Sequence, residues 1–578
     1  MNTPLPEPKS LLKKPWHGFP GALLWFFLLF CAAFLIVFCF TFSFGTRHVL
    51  GDMAGASFAI AAVITIVAVI VFLIFRLLMN RVYRRRFLVV CACGVTLIAL
   101  LYAEEDWRGK HDLQKFESQW EAKGEKFDYA SVVPAAVPDD QNFALTPIMF
   151  TTYGSILTRD GQFIPSEKRD TNFVNRLKMP YMRDNDDVPT NGAGNWQKAT
   201  LTDLKPWQTY YRELAAKTNL FPVASQPQTP AQDVLLALSK YDSTIEELRQ
   251  AAQLPNSRFP LNYDSQPPFA ILLPHLAELK VATQVLKLRT IAELQNGQSD
   301  KALADIKLSL RLVDSIHTEP FIISHLVRIA MVAITLQPIY EGLAEHQWSD
   351  AQLIEINSEL AKLDFLADFE FSMRGERACG IQGLEYIRRT RDLNVLQSGD
   401  AHSFNLGFLI PSAFYYQNEL AIARIDQQWA LPDVDITNRI VSPDTVRQNE
   451  TAATEALSHI SPYNFFARMI SPDIAKAVKK YAREQSSVDL ARVAIALERY
   501  RLAHGAYPDS LDVLAPQFMD IIPHDIINGD PLKYRRTENS FILYSVGWNG
   551  TDDGGVTVQT KGGATDWDKG DLVWKYPQ

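Results

Sequence analysis

Beyond residue 103 this chain of 578 residues has one cysteine, Cys379; the other four, Cys31, Cys39, Cys91 and Cys93, lie in apolar runs. A single thiol cannot close an intramolecular disulfide, so packing alone must hold the polar part together. No nucleophile signature surrounds Cys379, and a partly buried structural residue is the plain reading of it. The established catalytic signatures are missing as well: no His-Glu-x-x-His pair, no Gly-x-Ser-x-Gly elbow, no Walker loop and no dinucleotide fingerprint. Nor is there a basic surplus outside the apolar head. Residues 1–103 carry nine Lys/Arg and two acids, a balance of +7, while the whole chain stands at −8, which leaves −15 for the remainder. An acidic body of this kind has no attraction for nucleic acid.

What is present first is apolar. Gly21–Phe44, Ala54–Phe75 and Phe87–Ala103 each approach the ~20 residues a helix needs to cross a bilayer. Their interiors contain no Asp, Glu, Lys or Arg, and such residues mark ion or substrate paths, so the three spans read as an anchor. Lys9, Lys13 and Lys14 precede the first span, and Arg76, Arg81, Arg84, Arg85 and Arg86 fill the turn between the second and third. By the positive-inside rule the N-terminus is cytoplasmic and residues from about 104 lie outside the cytoplasmic (inner) membrane. The first span is too long, and lacks the small-residue site, for a cleaved signal.

Past the membrane, Trp107, Leu113, Phe116 and Trp120 recur at helical spacing and predict a stalk helix over 104–130. Residues 131–230 hold ten prolines, about twice the usual ~5%, and read as an ordered, loop-rich subdomain. Within it, Arg183–Asp187 reads as a solvated loop or a cation site. Residues 231–485 turn helical. Two amphipathic helices join at Asn296-Gly297 with Ser299 placed to cap the second; an apolar helix with Pro338 follows over 321–345. Ser349 and Gln352 then form a capping box for a helix reaching Leu363. His275, Glu278 and His325 fall on neighbouring helices and can meet. Gly407–Gln428 begins apolar and aromatic, which suits either packing on the array or the membrane interface.

Residues 486–578 have a different grain. An amphipathic helix runs to His504, Gly505 sits at its left-handed cap, and Pro508 stops it. Pro531–Thr537, Ser540–Gly547 and Asp571–Tyr576 alternate as three strands, the first two joined by Glu538-Asn539. Glu498, on the buried side next to Arg501, reads as a structural ion pair. The fold class expected is thus membrane-anchored and mainly α. It comprises three transmembrane helices (1–103), a loop-rich and repeat-like helical ectodomain, and a C-terminal α+β module with a small antiparallel sheet.

The stretches ALERYRLAHGAYPDSLDVL (496–514), DPLKY (530–534) and FILYSVGWNGTDDGG (541–555) resemble the C-terminal domain of type II secretion major pseudopilins. The resemblance covers roughly the last ninety residues. It departs at the front, where Leu23 stands in place of the family's glutamate and two further spans follow. It implies a bacterial source and a calcium-binding acidic loop, whose equivalents here are Asn549, Asp552, Asp553, Asp566, Asp568 and Asp571. Carboxylate oxygens on a flexible loop suit Ca²⁺; solvated loop acids are the other reading. The function expected is that of an envelope protein, partnered by the lipid bilayer and envelope proteins, whose ectodomain is a protein-interaction or assembly module. The alternative is a membrane-bound hydrolase acting on envelope polymers.

Overall fold

The computed structural model describes residues 26–32, 61–72, 81–150, 155–157, 163–165, 179, 189, 192–218, 220–396, 407–459, 461–470 and 473–577. The chain divides into two compact units, Met1–Glu104 and Glu105–Gln578. It is mainly helical, with a three-stranded antiparallel sheet near its C-terminal end.

In the first unit the described residues are helical over 26–32, over Ala61–Phe72 and from Arg81 onward. Helix α1 (Arg81–Glu121) is long and apolar enough to cross a membrane, and Leu88–Tyr102 of the third expected span present exposed apolar side chains. The second span is represented by the shorter apolar helix Ala61–Phe72; most of the first lies outside the described residues. Helix α1 runs on past the third expected span to Glu121 and closes in a turn at Gly124, short of the 130 expected for the stalk helix.

The second unit is built on helices α2 (Lys205–Thr218), α3 (Pro230–Leu238), α4 (Asp242–Ala251), α5 (His275–Gln295), α6 (Ser299–Asp314), α7 (Ile322–Ala344), α8 (Asp350–Leu360), α9 (Phe365–Thr390), α10 (Ser412–Ile425), α11 (Pro443–Ser458), α12 (Phe465–Ile470) and α13 (Ile474–His504). Helices α5 and α6 form the expected hairpin around Asn296-Gly297, with Gly297 at φ +71°. Gln298, not Ser299, occupies the N-cap and gives no side-chain bond; the Ser299 hydroxyl instead accepts from Gln352 Nε2 at 3.2 Å. The Ser349/Gln352 capping box forms with both bonds in place, and its helix stops at Leu360. Helix α7 passes the length and apolarity test for a membrane span but is mostly buried against α5, α6 and α13, so it is a core helix. His325 and Arg328 inside it are buried and bonded, which explains how an apolar helix tolerates them.

Strands β1 (Ser155–Leu157) and β2 (Phe163–Pro165) form a hairpin; β3 (Lys533–Arg536), β4 (Phe541–Ser545) and β5 (Leu572–Lys575) form the C-terminal sheet in that order. Leu543 pairs Tyr534 on one side and Trp574 on the other. Helix α13 begins twelve residues before the expected start at Ser486, and its buried residues run from Ala477 to Glu498. The expected boundary at 485/486 therefore falls inside one helix. One hydrophobic cluster extends from Tyr129 to Tyr576. Trp574 of β5 packs on Trp196 and Tyr340, with ring centroids 4.9 and 5.4 Å away, and Tyr340 Oη donates to the Lys575 carbonyl at 2.9 Å.

Candidate functional site

The six acidic-loop residues separate into two sets. Asp571, almost wholly buried, accepts from the Gly555 N–H at 2.7 Å and the Asp553 N–H at 3.3 Å, closing the loop. Asn549 donates to Asp553 at 3.0 Å, and Asp552 accepts from the Gly554 N–H and from Tyr544 Oη, each at 2.9 Å. Those bonds, the backbone one first, hold the Asp552 carboxyl below its ordinary range. Asp566 instead accepts from the Asp568 N–H and from Lys569 Nζ, and Asp568 pairs with Lys479. As placed, the six do not make one coordination shell, and among the described residues no three His, Cys, Asp or Glu side chains converge for a metal ion. The run Arg183–Asp187 lies outside the described residues.

His275 and His325 do come together, through Glu319. His275 Nε2 lies 2.7 Å from Glu319 Oε1, and His325 Nε2 lies 3.0 Å from the Glu319 carbonyl. Ser324 donates to the second Glu319 oxygen, and Arg328 pairs with Asp368 beside His325. His275, Glu319, His325 and Arg328 are buried, so this is interior scaffolding that ties α5, α7 and α9. Glu498 plays a similar part at the C-terminal end. Burial alone would raise its pKa, but Arg501, His346 and Tyr507 all donate to it and hold it at about 2. The buried Cys379 thiol is pushed up by burial and then by the Glu376 charge, which makes it inert.

Two hollows of the unit lie elsewhere, around Trp429. Helix α10 does not end at Ile425 but widens into a π-turn over Asp426–Ala430, a feature frequent at functional sites. The cause is visible in the packing. Arg377 of α9 is fully buried and donates through one guanidinium nitrogen to both Asp426 (2.8 Å) and Gln427 (2.5 Å). Its other nitrogen reaches Glu125 and the Lys126 carbonyl, while its plane lies over Phe127. Two consecutive residues are thereby pulled to one cation, and the wider turn follows.

Trp429 lines both hollows, together with Ile425 and Leu457. The larger, about 740 Å³, is walled by Phe116, Trp120, Lys123, Gln417, Arg424 and Tyr463 among others. The smaller, about 400 Å³, is walled by Asp433, Asn449, Glu450, Arg468 and Asp473. Asp433 is buried and accepts from Asn449 Nδ2 at 2.8 Å; burial and then the Glu450 charge outweigh that bond and push its carboxyl up to about 7. Sequence reading missed this groove. Its only local trace is Asp426-Gln427 followed by Trp429 and Pro432, polar residues set into a helical run. No family model, curated protein or solved structure matches this chain.

Proposed function

We propose that this chain is a membrane protein of a bacterial envelope, anchored by three transmembrane helices with its N-terminus cytoplasmic. In this reading the extracytoplasmic body is a protein-interaction or assembly module. The observation that carries the reading is the Trp429 groove. Aromatic faces and amide side chains, open to solvent and unequal in charge from end to end, suit an extended partner segment. Lys123 and Arg424 attract its anionic end, and Glu450 and Asp473 its cationic end. The exposed apolar side chains of α1 support the anchor, since a helix facing lipid buries its polar backbone within itself.

The test is affinity purification of the full-length chain from detergent-solubilised native membranes beside Trp429→Ala. A chain ending at Glu484 would be uninformative, because it would cut α13 in the core. Envelope proteins retained by the natural chain and reduced about tenfold or more in the variant are expected, as for a central aromatic contact. Equal recovery in both would remove the groove from the reading.

A second reading, the hydrolase acting on envelope polymers, is favoured by Asp433 and Glu450. A carboxyl that keeps its proton near neutrality beside a second, exposed carboxyl is the kind of pair that acid–base hydrolysis uses. Absence of any partner, together with polymer hydrolysis lost in Asp433→Asn, would put this reading first. Calcium at the acidic loop is also proposed, and it requires Asp566 and Asp568 to leave Lys569 and Lys479. A rise in Tm with about 1 mM calcium, abolished in Asp552→Asn, is the expected result; an unchanged Tm would reject it.

A further inference from the structure

Four large apolar side chains on two neighbouring segments of the second unit are turned outward: Phe408 (67% exposed), Tyr463 (37%), Phe465 (47%) and Met469 (53%). Trp107 of α1 is 67% exposed as well. Folding does not explain this set, because the rings beside them are buried normally: Tyr415 and Phe466 stack 5.4 Å apart in a satellite core. An exposed aromatic cluster marks a contact surface.

The chain itself says where that surface lies. Tyr463 Oη donates to Glu105 at 3.0 Å, and the Ala413 N–H donates to Asp106 at 2.6 Å. Phe414 packs edge-on against the Tyr463 ring at 5.3 Å. Gly109 meets the same helix start so closely that an added Cβ would stand 3.2 Å from the Ala413 carbonyl oxygen. The last apolar residue of the third span is Ala103, three positions before Asp106. Even fully extended, three residues reach only about 10 Å. The headgroup layer on each side of the hydrocarbon core is itself some 5–8 Å deep, and it is the layer that tryptophan and tyrosine favour.

We infer that Phe408, Tyr463, Phe465 and Met469, with Trp107, form a second membrane contact that rests in the interfacial layer of the bilayer holding the chain. The occupant of this surface is lipid, not a second protein, because Glu105 and Asp106, which bond Tyr463 and the Ala413 N–H, follow the last apolar residue of the span by only two and three positions. One consequence follows for the groove: Tyr463 belongs to both surfaces, so the membrane contact and the larger hollow share a wall residue.

This inference rests on the reading of 87–103 as a membrane span, and the experiment separates the two. The full-length chain in proteoliposomes carries one photo-crosslinking residue at a time, as Phe408→benzoylphenylalanine, Met469→benzoylphenylalanine, Val95→benzoylphenylalanine or Ile521→benzoylphenylalanine. Val95 lies in the span, and Ile521 is an exposed residue of the C-terminal region. Lipid adducts at 408 and 469 within about threefold of those at 95, with 521 near background, are expected for interfacial side chains. Adducts at 95 but not at 408 or 469 overturn the inference and leave the anchor standing. No lipid at 95 overturns the anchor and the inference together, and protein adducts at 408 or 469 replace lipid by a protein partner.

Discussion

Glu484 is the residue at which burial and charge conflict most plainly. It sits within α13, its Oε1 has no hydrogen-bond partner, and burial pushes its carboxyl up to about 8 against a modest pull from Arg483. With the folded pKa raised above the ordinary 4.5, the folded chain holds a proton there that the unfolded chain gives up. The contribution to stability is complete below pH 4.5 and is lost as pH rises to about 8. Glu484→Gln removes the titration. At pH 9 the variant is expected to be the more stable in urea, by up to about 5 kcal/mol, while at pH 5 the two chains should nearly coincide. Denaturation curves at both pH values decide it, and a variant less stable at pH 9 would sink the account. Glu498 has the opposite sign: held at about 2, it adds stability that is present above about 4.5 and fades only in strong acid.

At the scale of elements, the π-turn depends on one distant cation. Arg377 is 49 residues from Asp426 in the chain and fully buried with it. Arg377→Met leaves the Asp426 carboxyl buried without its cation, and breaking such a pair costs about 3–5 kcal/mol. Burial already places the Asp426 carboxyl at about 6, so the loss should be smaller at pH 5, where the carboxyl accepts a proton, than at pH 8. Urea unfolding at the two pH values, with Asp426→Asn added to recover stability at pH 8, is the measurement. The same pair shows what a sequence can disclose. The Ser349/Gln352 box, Gly505 and the short apolar run at 541–545 act over a few residues, and each was readable. The π-turn, the Trp429 groove and the Glu319 bridge between His275 and His325 are made by partners tens of residues apart, and no local pattern announces them. Ser299 shows the limit from the other side. Its type suited a cap, yet the helix begins at Ser299 itself, whose hydroxyl accepts from the distant Gln352.

At the scale of the molecule, the helical character, the apolar head and the small C-terminal sheet were all legible in the sequence, because each rests on composition or short-range periodicity. The extent of the core was not. Trp196 from the proline-rich stretch, Tyr340 from α7 and Trp574 from β5 meet in one place, and nothing in their separate surroundings points to the others. That junction has a consequence in time. A ribosome supplies Trp574 only after everything that precedes it, so while the chain is being made the seat between Trp196 and Tyr340 stands empty. A molecule interrupted before that point lacks the ring that fills this seat.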